Sequence, residues 1–257
     1  MKTKRIVYFL IFTLAAVFYW QCRENENIGE EKKMTQILRQ GSLIGLKNEY
    51  EERYIILHKH VFPGVLHRLR KCNIHNYSIF LRDGILFSYF EYTGSDYAAD
   101  MAAMADEETK DWWKLTDPMQ RPLENRKEGE WWASMELLYR MDKNKVSGKR
   151  AKRFAYTGSL QKGNVQKFKS ALQQIDSDLV NMILMANLQN LSFYVKENQV
   201  YFYYEYVGDD LKLDMKRLEA GDSFKKLNAR LSQLMKPVSD DQQHRTWQEM
   251  KEVFHTE

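Results

Sequence analysis

HNYSIFLRDGILFSYFEYTGSD, residues 75–96, recurs without a gap as QNLSFYVKENQVYFYYEYVGDD, residues 189–210, at an offset of 114. A repeat over that distance decides the architecture before any single residue is weighed. The same offset lays GLKNEYEERYIILH, from residue 45, on SLQKGNVQKFKSAL, from residue 159. With one residue inserted, WASMELLY meets WQEMKEVF near the end of the chain. Two homologous units are therefore expected, residues 35–142 and 153–257. Between them, residues 143–152 are lysine-rich, contain a glycine and lack an apolar period, as an exposed joint does.

The elements of the first unit follow from periodicity. TQILRQGSLIGL reads as a strand, and EYEERYIILHKHV as a helix on which Tyr50, Tyr54, Leu57 and Val61 share a face. Pro63 cuts that helix and starts the next, FPGVLHRLRKC. HNYSIFL and ILFSYFEY pair as a hairpin across the Gly-containing turn RDG. SDYAADMAAMA and EETKDWWKLTD are helical, the latter with an acidic first turn. WWASMELLYRM places Trp131, Ala133, Met135, Leu137 and Tyr139 on one face of a final strand. This order is that of a ferredoxin-like α+β unit, an antiparallel sheet with helices on one face. The open face needs burial, which is worth roughly 25 cal/mol per Å² of apolar area. We expect two tandem ferredoxin-like units packed sheet to sheet, an intramolecular pseudo-dimer of the dimeric α+β barrel kind, monomeric as a chain.

With 44% hydrophobic and 29% charged residues, the 257-residue chain has the composition of a globular protein with real cores. Removing Lys2, Lys4 and Arg5, which lie in a targeting segment, from the 39 basic residues leaves 36 against 35 acidic. Nothing in that balance invites nucleic acid. MKTKR followed by IVYFLIFTLAAVFYW has the basic start and short apolar core of an export signal, residues 1–21. Cys22, directly after that core, resembles the lipidation site of bacterial lipoproteins, and residues 22–34 read as a polar tether. An uncleaved signal anchor is the competing reading, and either one places the folded part outside the cytoplasm at a membrane. Cys72 reads as a small buried apolar residue.

The polar candidates are His58, His60, His67, His75, Tyr54, Tyr77, Asp117 and the pair Trp112 and Trp113. A metal site is not expected: His58 and His60 are two apart, so on a helix they diverge, and no HExxH motif or paired carboxylate supplies further ligands. GxSxG elbows and glycine-rich phosphate loops are absent from the sequence. His60, His67 and His75 read as caps or surface residues, Asp117 as a helix-end hydrogen-bonding residue, and one of the adjacent tryptophans as core.

ERYIILHKHVFPGVLHRL, then HNYSIFL, then KDWWKLTDPM, in that order and at these distances, resembles the L-rhamnose mutarotase family. That family has Y-x-x-x-H followed by an aromatic and a proline, then an H-N-Y strand, then W-W-K. The resemblance spans roughly residues 35–140. It implies an isomerase of the aldose 1-epimerase type that needs no cofactor. It gives His58 the acid/base role and Tyr54, Tyr77, Trp112 and Trp113 the sugar pocket. His60 stands where the family commonly has proline, and Phe62 where it commonly has tryptophan. The chemistry asks for such a set on its own terms: opening a pyranose needs a proton on the ring oxygen as another leaves the anomeric hydroxyl, and imidazole can carry protons near neutral pH. Aromatic rings cover the apolar face of a 6-deoxyhexose.

At the offset of 114, Tyr54 becomes Phe168, His58 becomes Leu172, Tyr77 becomes Leu191, Trp112 becomes Lys226 and Trp113 becomes Leu227. The second copy is expected to be a structural half without chemistry of its own. A non-catalytic sugar-binding lipoprotein is the alternative reading, and a monooxygenase-like member of the same barrel architecture a weaker third.

Overall fold

The structure is a computed structural model, and it describes residues 37–142, 150–238 and 245–257. The export signal, the tether with Cys22 and most of the joining stretch lie outside the described residues. The chain divides into two compact units, one running to Ser134 and taking in Val253–Glu257, the other spanning Met135–Glu252.

The first unit has strand β1 (Leu38–Leu46), a 3₁₀ turn (Asn48–Tyr50), helices α1 (Glu51–His58) and α2 (Pro63–Lys71), and the hairpin β2 (Ile74–Arg82) and β3 (Ile85–Tyr92). Helices α3 (Tyr97–Ala103) and α4 (Glu107–Thr116) follow, then the short strands β4 (Gln120–Arg121) and β5 (Ala133–Ser134). β1 pairs antiparallel with β3, and β3 with β2. The last residues of β10 (Gln248–Thr256) lie beyond β2, where Ser78 Oγ is 3.0 Å from His255 Nδ1. The core between sheet and helices gathers Ile44, Leu46, Tyr54, Ile79, Leu81, Leu86, Met119 and Phe254.

The second unit repeats the plan. It comprises β6 (Glu136–Met141), β7 (Lys152–Ser159), α5 (Val165–Leu172), α6 (Ser177–Met185), β8 (Leu188–Lys196), β9 (Gln199–Tyr206), α7 (Leu211–Ala220), α8 (Asp222–Leu234) and the start of β10. β7–β9–β8–β6 form an antiparallel order, with Gln248–Met250 on the outer side of β7. Helices α5 and α6 and strands β8 and β9 begin and end 114 residues after α1, α2, β2 and β3.

Two local readings are corrected. α1 stops at His58 rather than Val61, because Pro63 pushes Phe62 into an extended conformation (φ −57°, ψ 133°) that no helix can carry forward. The final strand WWASMELLYRM is not continuous. It breaks at Met135 and carries a register shift between Leu137 and Tyr139, so Ala133, Leu138 and Met141 are buried while Trp131 is exposed.

A β-bulge governs β2. His75 pairs with Glu91 and Ser78 with Tyr89, so Asn76 and Tyr77 together oppose Phe90. Asn76 takes the left-handed conformation (φ 47°), which asparagine tolerates better than most residues. Its amide donates to Glu91 Oε1 at 2.8 Å, and the Tyr89 hydroxyl donates to the same oxygen at 3.1 Å. The second unit has the same bulge at Asn190 (φ 54°), with Asn190 and Tyr203 donating to Glu205. Since Glu91 is buried, replacing it removes the acceptor to which both Asn76 and Tyr89 donate. Glu91→Leu should lower the unfolding free energy by about 2–4 kcal/mol. Urea denaturation of the full chain checks this, and a loss within error of zero would refute it.

Candidate functional site

His58 closes α1 one turn after Tyr54, and the two side chains are the buried residues of that helix. The helix opens with Glu51 and Glu52, whose charges suit its positive end. The His58 ring stacks on Tyr54 with centroids 3.9 Å apart. It meets Trp112 edge-on at 5.2 Å and Phe254 edge-on at 5.8 Å. Trp112 is held there because α4 is fastened to α2. Asp106 caps α4 by accepting from Thr109 N at 2.8 Å, and it also accepts from Arg68 of α2. Phe62 packs edge-on against Trp112 at 5.3 Å. The bulged strand presents Tyr77 to Phe254 at 5.5 Å and to Phe90 at 5.8 Å.

One hydrogen bond fixes the state of the imidazole. His58 Nδ1 lies 2.9 Å from the Tyr54 carbonyl oxygen, which can only accept, so the proton of the neutral ring sits on Nδ1 and Nε2 is left as the acceptor. Burial among aromatic rings lowers the His58 pKa to about 4, against which the bond to the Tyr54 carbonyl acts only partly. The ring is therefore neutral at physiological pH. Burial also raises the phenol of Tyr54, helped by the nearby Tyr77 and Asp117 and opposed by Gln120, and burial raises that of Tyr77. Both hydroxyls remain protonated and able to donate.

The structure brings Tyr54, His58, Tyr77 and Trp112 into one aromatic group. Trp113 is half-buried and makes no ring contact among the described residues. His60 and His67 are exposed, and His75 lies in β2 with its backbone paired to Glu91. No group of three histidine, cysteine or carboxylate side chains placed to hold a metal occurs among the described residues.

Two members, Phe254 and Gln120, are not read from the sequence, and a third residue, Asp117, is read there only as a helix-end hydrogen-bonding residue. Phe254 comes from the end of the second copy, yet its residues Val253–Glu257 belong to the first unit. Only the aligned pair Tyr139 and Phe254 hints at it. Gln120 lies 3.5 Å from the Tyr54 hydroxyl and accepts from the Trp131 indole at 2.8 Å. Asp117 stands at the turn ending α4. Its carboxylate does not make the helix-end hydrogen bond expected of it and has no hydrogen-bond partner among the described residues. Its charge reaches the Tyr54 phenol, and burial raises its pKa to about 6. From α4 and α8 onward the two units match at an offset of 115, since Lys47 N donates to Met119 O and Gln161 N to Leu234 O, so Trp112 answers to Leu227 rather than Lys226, Asp117 to Ser232 and Gln120 to Met235.

The lowered His58 pKa has a signed consequence. The unfolded chain binds the proton more readily, so stability is full above pH about 6.5 and falls towards pH 4, by about 3 kcal/mol from this group alone. Long-range ¹H–¹⁵N NMR of the histidines should show His58 as the Nδ1–H tautomer at pH 6 and protonating only near pH 4. A midpoint near 6.5, or the opposite tautomer, contradicts this geometry.

Two solved structures share the fold at low identity. The "putative monooxygenase" of Fusobacterium nucleatum aligns with a TM-score of 0.51 at 12% identity over 85% of this chain and 93% of its own. That of Lactobacillus acidophilus aligns with a TM-score of 0.53 at 9% identity over 86% and 95%. At such identities the likeness is one of fold. No curated protein sequence matches the chain. A sequence model of the L-rhamnose mutarotase family matches twice, over residues 39–141 and 153–256. A double match covering most of the chain, with the Tyr54, His58, Tyr77 and Trp112 group assembled in the first copy, places this protein in the L-rhamnose mutarotase family, as a tandem duplication of it.

Proposed function

We propose that the first unit is a mutarotase that interconverts the α and β anomers of L-rhamnose or a similar 6-deoxyhexose. The observation that carries this reading is the neutral His58, its Nδ1–H tied to the Tyr54 carbonyl and its Nε2 left to accept a proton, inside a group of aromatic rings. In the reaction the anomeric hydroxyl loses its proton to Nε2 as the bond from C1 to the ring oxygen breaks and C1 becomes an aldehyde. The imidazolium so formed gives that proton from Nε2 to the ring oxygen, C1 turns over, and the steps reverse on the other face. Tyr54 and Tyr77, held protonated by burial, supply donors to the sugar hydroxyls. Trp112 and Phe254 supply apolar surface for C–H faces. No group outside the chain is needed to balance the proton transfers.

The second unit lacks an equivalent. Leu172 replaces the imidazole and sits in an apolar core with Phe168, Phe193 and Trp247. One site per chain follows. The signal-like segment and Cys22 support an extracytoplasmic, lipid-anchored enzyme that acts on sugar outside the cytoplasm. The alternative, a sugar-binding lipoprotein without turnover, draws on Phe62, which packs against Trp112 where the family commonly has the larger tryptophan.

NMR exchange spectroscopy between the anomers of L-rhamnose tests the reading on the full chain. Wild type should exceed the buffer rate, and His58→Ala should lose about 10² to 10⁴ of that acceleration. Equal rates for both proteins, each at the buffer rate, would sink the catalytic reading, and saturable rhamnose binding without exchange would establish the alternative.

A further inference from the structure

Tyr54 is fully buried, and two residues outside the aromatic group set the direction of its hydroxyl. Gln120 opens β4 as the register partner of Leu46, whose side chain lies in the same core as Tyr54. The Gln120 amide stands between two partners, 2.8 Å from the Trp131 indole nitrogen and 3.5 Å from the Tyr54 hydroxyl. An indole N–H only donates, so the amide atom facing Trp131 is the oxygen Oε1. The atom facing Tyr54 is then Nε2, which also only donates, and the Tyr54 oxygen must accept. A phenol hydrogen lies in the ring plane on one side of its oxygen or the other. With one side taken by Gln120, the Tyr54 proton takes the other, and no group among the described residues accepts it there. A buried hydroxyl proton without an acceptor is costly, and a sugar oxygen supplies one.

The chain around Trp131 is fixed. The buried carboxylate of Glu130 accepts from Lys127 N at 3.0 Å, Ser134 N at 3.2 Å and Ser134 Oγ at 2.6 Å, while its carbonyl accepts from Arg126 Nε at 2.9 Å. The Trp131 ring is 38% exposed, so apolar burial does little to hold it, whereas its neighbour Trp132 packs against the core. What ties Trp131 inward is its N–H.

The second unit gives an independent argument. At the offset of 115 the counterparts of Gln120, Trp131 and Trp132 are Met235, Thr246 and Trp247. Leu160 bridges Met235 as Leu46 pairs with Gln120, and Leu160, Phe168 and Met235 lie in one apolar cluster. The fold therefore brings these positions together in both units. Trp247 packs against that cluster as Trp132 does against its own, so the tryptophan that serves architecture recurs. The phenol hydroxyl, the amide and the indole N–H that orients it are replaced together.

We propose that Gln120 and Trp131 are positioning residues for the sugar site: they hold the Tyr54 oxygen as an acceptor towards the protein, so that its proton is presented to an oxygen of the bound sugar. Setting that direction in advance spares binding the cost of ordering the hydroxyl. No bond is made or broken by the pair. The inference rests on the reading that Tyr54 faces the sugar, which the mutarotase and the sugar-binding readings share.

The test is the Kd of L-rhamnose for the full chain, measured by NMR titration. Gln120→Glu keeps the shape of the side chain, and its carboxylate still accepts from Trp131. Having no proton to give, it accepts from Tyr54 as well and turns the phenol proton away from the sugar. Kd should rise about tenfold in this variant and in Tyr54→Phe, and the double variant should bind no more weakly than Tyr54→Phe alone. Gln120→Glu at the wild-type Kd overturns the proposal, and so does a loss that persists undiminished in the Tyr54→Phe background. If Gln120→Glu does not fold, Trp131→Phe takes its place, because it removes the N–H that orients the amide at an exposed ring. It should raise Kd about threefold, and not at all in the Tyr54→Phe background. An unchanged Kd for Trp131→Phe then overturns the proposal. A wild type that binds no L-rhamnose overturns the sugar-site reading and this one together.

Discussion

A carboxylate buried within a sheet constrains everything around it, and Glu91 is such a group. Left unpaired it would cost several kcal/mol, so the strand beside it must deliver donors. Asn76 reaches it only by adopting a left-handed backbone, and that conformation inserts one extra residue into β2. The extra residue shifts which side chains face the helices. Tyr77 is presented to Phe90 and Phe254 because Asn76 is bound to Glu91. A structural hydrogen bond on one face of the strand thus aims a candidate sugar-binding hydroxyl on the other.

A second constraint acts along the chain. Pro63 forbids α1 to continue, and the helix ends with His58 at its last position, where the Tyr54 carbonyl is still available to its Nδ1. The aromatic neighbours then remove the ring from water. Desolvation keeps it neutral, and the bond to the carbonyl selects which nitrogen bears the proton. Burial of Asp117 acts in the opposite sense, because for a carboxyl the neutral form is the protonated one. Burial thus favours the neutral form of both groups.

The two copies separate architecture from chemistry. The bulge, its Glu205, and the Tyr206–Asp214–Asn187 hydrogen bonds are kept in the second unit. Ser42 and Ser88, which are register partners with hydroxyls 2.6 Å apart in the first unit, become the register partners Tyr156 and Phe202. Phe202 stacks on Phe193 at 4.2 Å and packs near Trp247. A site with no substrate to hold is more stable filled with apolar side chains than left with buried polar groups. The bulge persists because the backbone itself depends on it.

Much of this protein is legible in order along the chain. The 114-residue repeat, the strand and helix periods, and the Y-x-x-x-H spacing that puts Tyr54 and His58 on one helical face all follow from local geometry, which a sequence encodes directly. The replacement of His58 by Leu172 sets that position apart from the residues that the two copies keep. Where the last strands go was not legible. The repeats count Phe254 with the second copy, but the fold gives Val253–Glu257 to the first unit, because strand pairing is decided by contacts between residues far apart in sequence. Nor could spacing show that the Asp117 carboxylate makes no helix-end hydrogen bond and is half-buried, since side-chain bonding and burial at the Pro118 turn are settled only in three dimensions. The sequence alone determined the duplicated α+β plan and the histidine with its neighbouring tyrosine. Only the tertiary structure decided which rings enclose that histidine and which of its nitrogens holds the proton, because burial and hydrogen-bond geometry arise when distant segments pack.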